Sequence, residues 1–268
     1  MSHAIIIPIY CENRNTINLC NELQNFGAEH IVVVNDGLNP KSEYFNELTS
    51  IGCHLVHLKN NNGKGASLKA GIKYAHDNLY NITGYITCDA DGQHTANDVM
   101  KISRMLDLRN GSLILGKRDY KKSKMPINIR IGNRLSSAYF KVITGKCCKD
   151  TQTGLRGIPA FLYDTVMKTK GSRFDFEMNF LTKCADMRVP FYFVNIIADC
   201  SNCSSNFRLI KDTYLIYRTP LRFATASIGC TIIDLVLFTI FAYILPSHMF
   251  FNIMLATLMA RVVSGGIN

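Results

Sequence analysis

Two carboxylates with polar neighbours form the group of residues best suited to chemistry, in the run Asp89-Ala-Asp91-Gly-Gln93-His94. Residues 85–88, just before it, have the pattern of a short buried strand, so the carboxylates are predicted to lie where that strand ends. In an open α/β sheet, ligands bind at the carboxyl ends of the strands. Carboxylates there can hold a hard divalent cation that bridges to the phosphates of a nucleotide. The alternative is an acidic turn, since Asp and Gly are ordinary turn residues.

A glycine-rich turn at residues 61–66, Asn-Asn-Gly-Lys-Gly-Ala, precedes a predicted helix. Its backbone N–H groups and the side chain of Lys64 could therefore meet a phosphate. The turn is not a Walker A loop, because Leu58 stands where that pattern needs its first Gly and Gly65 where it needs Ser or Thr. A dinucleotide site is also disfavoured, because no Gly-x-Gly-x-x-Gly run follows the first predicted strand.

A basic segment at residues 118–124 precedes a predicted helix at residues 127–144. One side of that helix is apolar, at Ile127, Ile131, Leu135, Ala138 and Val142. Such a stripe indicates either a helix packed on the core or, given the basic flank, an interfacial helix on a membrane. Arg130 and Arg134, four residues apart, are either part of a solvated face or an anion site.

Apolar runs and helical periodicities alternate along the first half of the chain. Strands are predicted at 4–8, 30–35, 54–57, 85–88 and 113–115, and helices at 16–26, 42–51 and 66–78. This alternation predicts an α/β fold with a doubly wound, mostly parallel sheet. Asp36 follows the second strand, and Asp150 lies further along. Each is either a site residue or an ordinary loop residue.

The composition permits several partners. The chain has 268 residues, is 47% apolar and carries a net charge of +10, which suits nucleic acid, anionic lipid or phosphorylated substrates. The ten cysteines show no regular framework. Cys200 and Cys203 have the spacing of a zinc knuckle, but no second pair lies at the expected distance, so a zinc site is disfavoured. With no signal peptide before the first strand, we expect reduced thiols in the cytosol.

The charge nearly disappears after residue 220. Residues 223–245 are long enough to cross a hydrocarbon core of about 30 Å, and a second apolar stretch runs from residue 249 to the end, which predicts a truncated chain. Asp234 and Arg261 are ionisable residues within these stretches and are candidate partners. Four basic residues precede the first stretch: Arg208, Lys211, Arg218 and Arg222. By the positive-inside rule, residues 1–219 would form a cytosolic domain and residues 220–268 the start of a transmembrane domain.

Seven motifs occur in the order of one known family, at residues 7–13, 34–37, 62–65, 89–94, 116–118, 150–156 and 174–177. Together they cover about residues 1–215 and resemble the family-2 glycosyltransferases of the GT-A fold. The likeness is strongest to the polyprenyl-phosphate group, which includes the dolichol-phosphate mannose synthases. Residues 229–234 and 260–264 resemble a GtrA-type membrane domain, of which residues 220–268 would be a truncated start.

The resemblance implies a role for each matching residue. Binding of the nucleotide sugar would involve Pro8, Tyr10, Glu12, Asp36, Lys64, Asp89 and Gln93. Binding of Mg²⁺ or Mn²⁺ would involve Asp89, Asp91 and Gln93. Binding of the lipid phosphate would involve Arg118, Arg130, Arg134 and Ser136. The catalytic group would comprise Asp150, Asp91 and Arg118, with Glu177 as a nearby positioning residue. Leu38 departs from the family pattern, which has a small or alcohol residue there.

The expected function is therefore an inverting, membrane-associated glycosyltransferase. It would move a sugar from a UDP- or GDP-linked donor to undecaprenyl or dolichyl phosphate on the cytosolic leaflet of the cytoplasmic membrane. No nucleic-acid partner is expected, and the sequence does not decide whether the protein forms oligomers. A processive polysaccharide synthase is a poor alternative, because its Gln-x-x-Arg-Trp motif needs a tryptophan and the chain has none. A non-catalytic, nucleotide-binding membrane adaptor or a lipid-sugar translocation partner is the other alternative. The residues do not decide the donor.

Overall fold

The computed structural model describes residues 2–119, 127–197 and, between 228 and 240, residues 228–229, 231–233, 235–236 and 238–240. The chain divides into two units, Met1–Phe207 and Arg208–Asn268. In the second unit, the described residues are helical. Within the described parts of the chain, no helix combines the length and the apolar character needed to cross a bilayer. The predicted boundary after residue 219, most of the first predicted span and all of the second lie outside the described residues.

The first unit alternates strands and helices, as the sequence predicts. The strands are β1 (Ser2–Ile9), β2 (His30–Asp36), β3 (His54–Leu58), β4 (Ile82–Thr87), β5 (Leu113–Arg118), β6 (Arg156–Pro159) and β7 (Phe191–Ile196). The helices are α1 (Arg14–Asn25), α2 (Glu43–Ser50), α3 (Lys64–Asn78), α4 (Ala96–Leu108), α5 (Ile127–Thr144), α6 (Tyr163–Lys168) and α7 (Asp175–Asp186).

The strands form one seven-stranded sheet in the order β3-β2-β1-β4-β6-β5-β7. β6 runs antiparallel to β4 and β5, and the other neighbours are parallel. The prediction of an α/β fold with a mostly parallel sheet is confirmed. Because β6 is reversed, its amino end lies at the same edge of the sheet as the carboxyl ends of the other six strands. That edge contains the candidate site.

The core lies on both faces of this sheet. β1 alternates between the two faces, so that Ile5 and Ile7 pack in one cluster with α1 and α4 while Ile6 packs in the other with α3. Strands buried on both faces have nearly continuous apolar runs, which explains the Ile-rich run of β1 and the Ile- and Val-rich run of β2. The helices packed on the two faces, α1 and α4 on one and α3 on the other, fix the loops at the sheet edge.

Helix α5 has the predicted bounds, but its apolar stripe does not pack on the core. Ile131, Leu135 and Val142 are 52%, 61% and 84% exposed. The opposite side is buried instead, at Asn133 and Phe140, because α5 docks through hydrogen bonds and through the rings of Tyr139 and Phe140. Of the two interpretations drawn from the stripe, core packing is wrong.

Candidate active site

The carboxylate of Asp89, two residues beyond β4, is paired on both oxygens. Lys64 Nζ lies 2.6 Å from Asp89 Oδ1, and His94 Nε2 lies 3.6 Å from Asp89 Oδ2. Burial alone would raise the pKa of Asp89, but the charge of Lys64, with His94 also close by, outweighs it and holds that pKa well below its ordinary value. Asp89 is therefore an anion at neutral pH.

Asp91 is bonded to Gln93 within the same turn. The backbone N–H of Gln93 donates to Asp91 Oδ1 over 3.1 Å, and the side-chain amide of Gln93 donates to Asp91 Oδ2. Burial, and then the negative charge of Asp89, raise the pKa of Asp91 above its ordinary value. Two carboxylates and an amide carbonyl in one loop are hard oxygen donors, the type that Mg²⁺ and Mn²⁺ prefer. A divalent cation there would offset the repulsion between the carboxylates, so these residues fit the implied metal.

Metal-binding groups of three or more His, Cys, Asp or Glu side chains are absent from the described residues. Among the described residues, the candidate metal site offers two carboxylates, Asp89 and Asp91, together with Gln93. Such a partial set leaves coordination positions to a substrate, which is how Mg²⁺ is held by proteins that bind it with substrate phosphates.

Asp36, at the end of β2, holds the glycine-rich turn. Its two carboxylate oxygens accept hydrogen bonds from the backbone N–H groups of Asn62, at 2.8 Å, and Gly63, at 2.9 Å. Gly63 has a φ of +93°, a left-handed conformation that favours glycine. Asp36 therefore positions the start of α3, and its expected contact with the nucleoside stays a prediction.

Lys64, the first residue of α3, bridges two carboxylates. Its Nζ lies 3.1 Å from Glu177 Oε1 as well as 2.6 Å from Asp89 Oδ1. Burial opposes the charged form, but the two anions outweigh it and raise the pKa of Lys64. The ammonium group thus lies at the carboxylate loop, and Glu177 is in the site with it.

Arg118 and Asp150 form a buried bidentate pair. Arg118 Nε donates to Asp150 Oδ2 over 2.7 Å, and an Nη group donates to Asp150 Oδ1 over 2.8 Å. Asp150 is 0% exposed and Arg118 is 6% exposed. Two parallel charge-assisted bonds fix both groups firmly. Arg118 is therefore part of the sheet edge at the end of β5, and its guanidinium is oriented by Asp150.

The other residues predicted to bind lipid phosphate lie on α5. Ser136 is buried and shares a 2.6 Å hydrogen bond with the hydroxyl of Thr151, next to Asp150. Arg130 is half-buried and Arg134 is exposed. The structure therefore brings Ser136 to the segment that carries Asp150, and it leaves Arg134 on the surface of the helix.

The residues predicted to bind the nucleoside follow β1. Pro8 is buried, Tyr10 is half-buried and Glu12 is exposed. β1 and β2 are adjacent, with Ile9 paired to Asn35, so the loop after β1 lies beside the end of β2. Tyr10 and Glu12 reach solvent at the site edge, and the contacts of all three residues with a nucleoside stay predictions.

Two residues within the quoted motifs have roles that sequence reasoning missed. Gly154 lies against Asp89, and a methyl group on it would overlap the Asp89 carboxylate. Arg156, at the start of β6, is buried and bonded to three backbone carbonyls around the site. The sequence offers no signal for either role, because both depend on the pairing of β6, whose residues Arg-Gly-Ile-Pro have no strand pattern of their own.

Comparison with known proteins supplies the family context. The model of glycosyl transferase family 2 matches residues 4–162. An uncharacterised protein of Methanocaldococcus jannaschii is 32% identical over 188 residues, which are 66% of this chain and 73% of that protein. The UDP-N-acetylglucosamine–dolichyl-phosphate N-acetylglucosaminyltransferase of Methanococcus voltae is 29% identical over 172 residues, 57% of this chain and 67% of that protein. Among solved structures, glucosyl-3-phosphoglycerate synthase from Mycobacterium tuberculosis, in complex with Mn²⁺, uridine diphosphate and glucosyl-3-phosphoglycerate, has a TM-score of 0.60 at 12% identity. The match covers 82% of this chain and 79% of that one, and it shows the shared fold.

Proposed function

Because the chain belongs to glycosyl transferase family 2, we propose that it transfers a sugar from a nucleotide-diphosphate sugar to a polyprenyl phosphate. One observation carries the proposal: the Asp89–Gln93 loop and the buried Arg118–Asp150 pair lie at the same edge of one sheet. An anionic, metal-compatible loop and an oriented guanidinium are the two parts that a donor diphosphate and an acceptor phosphate require. The printed activity of the M. voltae relative, transfer to dolichyl phosphate, supports the choice of acceptor.

The donor half of the site would be formed by the Asp89–Gln93 loop and Lys64. Asp89, Asp91 and Gln93 would hold Mg²⁺ or Mn²⁺, whose charge stabilises a diphosphate leaving group. The Mn²⁺ and uridine diphosphate in the mycobacterial synthase support a divalent ion and a nucleotide here. Lys64 already lies among the carboxylates and adds positive charge on the side of the glycine-rich turn. Pro8, Tyr10, Glu12 and Asp36 would hold the nucleoside.

The acceptor half would be formed by Arg118, Asp150 and the side of α5 that carries Ser136. A phosphate monoester loses its second proton near pH 6, so the attacking oxygen needs little deprotonation. Both oxygens of Asp150 accept hydrogen bonds from Arg118, and its role is to orient that guanidinium rather than to take a proton. A planar guanidinium suits an oxyanion. Arg130 and Arg134 would extend this positive surface.

The reaction would be a single displacement. An oxygen of the acceptor phosphate forms a bond to the anomeric carbon, while the bond from that carbon to the donor diphosphate breaks on the opposite face. The electron pair of the broken bond leaves with the nucleoside diphosphate, and the configuration at the anomeric carbon inverts.

Exposed apolar side chains support attachment to the cytoplasmic membrane, and basic residues support its cytosolic face. The stripe of α5, defined as Ile127, Ile131, Leu135, Ala138 and Val142, is exposed to solvent. In the second unit, Ile228, Ile232 and Leu235 are exposed as well. A lipid acceptor is insoluble in water, so an enzyme acting on it gains from lying on the bilayer. The basic residues between 208 and 222 favour the cytosolic side for the first unit.

A donor panel tests the proposal. The purified chain is incubated with a short-chain polyprenyl phosphate, Mn²⁺ and radiolabelled UDP-glucose, UDP-N-acetylglucosamine or GDP-mannose. The proposal predicts label in the organic phase with at least one donor, as a sugar linked through one phosphate. Binding of nucleotide without lipid-linked product from any donor would support the non-catalytic adaptor instead.

A further inference from the structure

Arg156 occupies an unusual place for a charged residue. It begins β6, which lies between β4 and β5 in the sheet, and it is 2% exposed. Burying a guanidinium costs free energy unless its donors are paired. The side chain is thus held at this position by partners, and those partners lie in the candidate site.

The first two partners are carbonyls of the segment that follows Asp150. Arg156 Nε donates to Thr153 O over 2.9 Å, and Arg156 Nη2 donates to Thr151 O over 3.1 Å. Thr151 directly follows Asp150, the residue that orients Arg118. Arg156 therefore fixes the backbone that carries the acceptor half of the site.

The third partner lies on α7. Arg156 Nη1 donates to Glu177 O over 2.9 Å, and Nη2 lies 3.9 Å from Glu177 Oε1. Glu177 pairs with Lys64, and Lys64 pairs with Asp89. Arg156 is thereby connected to the donor half through two side chains.

A second route runs through Gly154. Thr153, whose carbonyl accepts from Arg156, precedes Gly154, and the Gly154 backbone packs against the carboxylate of Asp89. The hydroxyl of Thr87, at the end of β4, donates to Gly154 O over 2.8 Å. The same short segment therefore contacts Asp89 at one end and carries Asp150 at the other.

We propose that Arg156 is a positioning residue that sets the distance between the donor and acceptor halves of the site; this rests on the proposed glycosyl transfer. One planar side chain with five N–H donors reaches three carbonyls on two elements at once. A lysine offers donors at a single point and cannot span them. Without the guanidinium, Asp89 still has Lys64 and His94 beside it, and Asp150 still has Arg118. The bonds from Arg156 that align the donor half with the acceptor half are lost.

The test compares Arg156→Lys and Arg156→Gln with Ile158→Ala. Ile158 lies on the same strand and is buried in the core, so its truncation destabilises the fold without touching the site. Each variant is assayed well below its own melting temperature, for kcat, the KM for lipid phosphate and the dissociation constant for the nucleoside diphosphate of the preferred donor.

The inference predicts that both Arg156 variants lose kcat about 100-fold, the size expected for a misplacement of about 1 Å, and that nucleoside diphosphate binding is unchanged. Ile158→Ala should keep the parent's kcat. A loss of kcat no larger than that of Ile158→Ala, or one explained by weaker nucleotide binding, would overturn the positioning role alone. Absence of transfer by the parent chain would overturn the proposed function, and the positioning role with it.

Discussion

Gly154 shows how closely the backbone approaches the carboxylate loop. The space that a methyl group on it would need is occupied by the Asp89 carboxylate, and the Gly154 carbonyl is held by Thr87. Neither partner can move freely, because Asp89 is also paired with Lys64 and His94. Gly154 is therefore required by the geometry of the site rather than by a turn.

We expect Gly154→Ala to displace Asp89 and lower kcat about 100-fold, since catalysis is sensitive to shifts of about 1 Å. Gly111→Ala is the matched control, because no atom lies within 4 Å of the methyl group it would add. Steady-state kinetics of the two variants decide the point. Equal activity of Gly154→Ala and the parent would mean that Asp89 does not need its present position.

The Arg118–Asp150 pair also makes a prediction about stability. Arg118→Ala leaves a buried carboxylate without its partner, a change that typically costs about 3–5 kcal/mol. The control is Arg14→Ala, which removes an exposed pair with Glu47 and should cost about 1 kcal/mol or less. Thermal melts in detergent should rank the two variants clearly. A melting temperature of Arg118→Ala equal to that of Arg14→Ala would contradict the bidentate pairing.

Several pairings in the site could not be predicted from residue types. The carboxylate loop was identified because its members are adjacent in sequence. Arg118 and Asp150 are 32 residues apart, and Lys64 lies 25 residues before Asp89 in the chain. The order of the strands decides which basic side chain pairs with which carboxylate. The sequence therefore predicts Lys64 as a nucleotide ligand but not its ion pair with Asp89.

At the scale of elements, strands with long apolar runs were predicted within a few residues. β6 was not predicted, because its four residues, Arg-Gly-Ile-Pro, have no strand pattern of their own. It is a strand because β4 and β5 pair with it on both sides. Helix α5 was predicted with its bounds, but the periodicity of its apolar residues could not say whether protein or lipid covers them.

The exposed stripe of α5 predicts contact with lipid. The chain contains no tryptophan, so Leu135→Trp adds a single indole to the stripe, and Leu108→Trp adds one to the exposed end of α4 as a control. With the chain in vesicles, brominated acyl chains should quench the fluorescence of Leu135→Trp strongly. Leu108→Trp should be quenched much less. Equal quenching at the two positions would show that α5 has no preference for the bilayer.

At the scale of the whole molecule, the basic residues between 208 and 222 predict a cytosolic first unit. Cys11 and Cys147 are exposed and serve as natural reporters, whereas Cys88 is buried and does not. A membrane-impermeant maleimide should leave both reporters unmodified in intact cells and label them once detergent is added. Rapid labelling of Cys147 in intact cells would reverse the proposed orientation.

One transfer assay, with the preferred donor and polyprenyl phosphate, compares the parent with Asp91→Asn and Asp77→Asn. Asp77 is an exposed carboxylate paired with Lys73, so its loss controls for charge alone. We predict lipid-linked sugar from the parent and Asp77→Asn with Mn²⁺ or Mg²⁺. We predict almost none from Asp91→Asn, or from the parent in EDTA, because the leaving diphosphate then lacks its counter-charge. Undiminished lipid-linked product in EDTA and from Asp91→Asn would contradict metal-dependent glycosyl transfer at the Asp89–Gln93 loop.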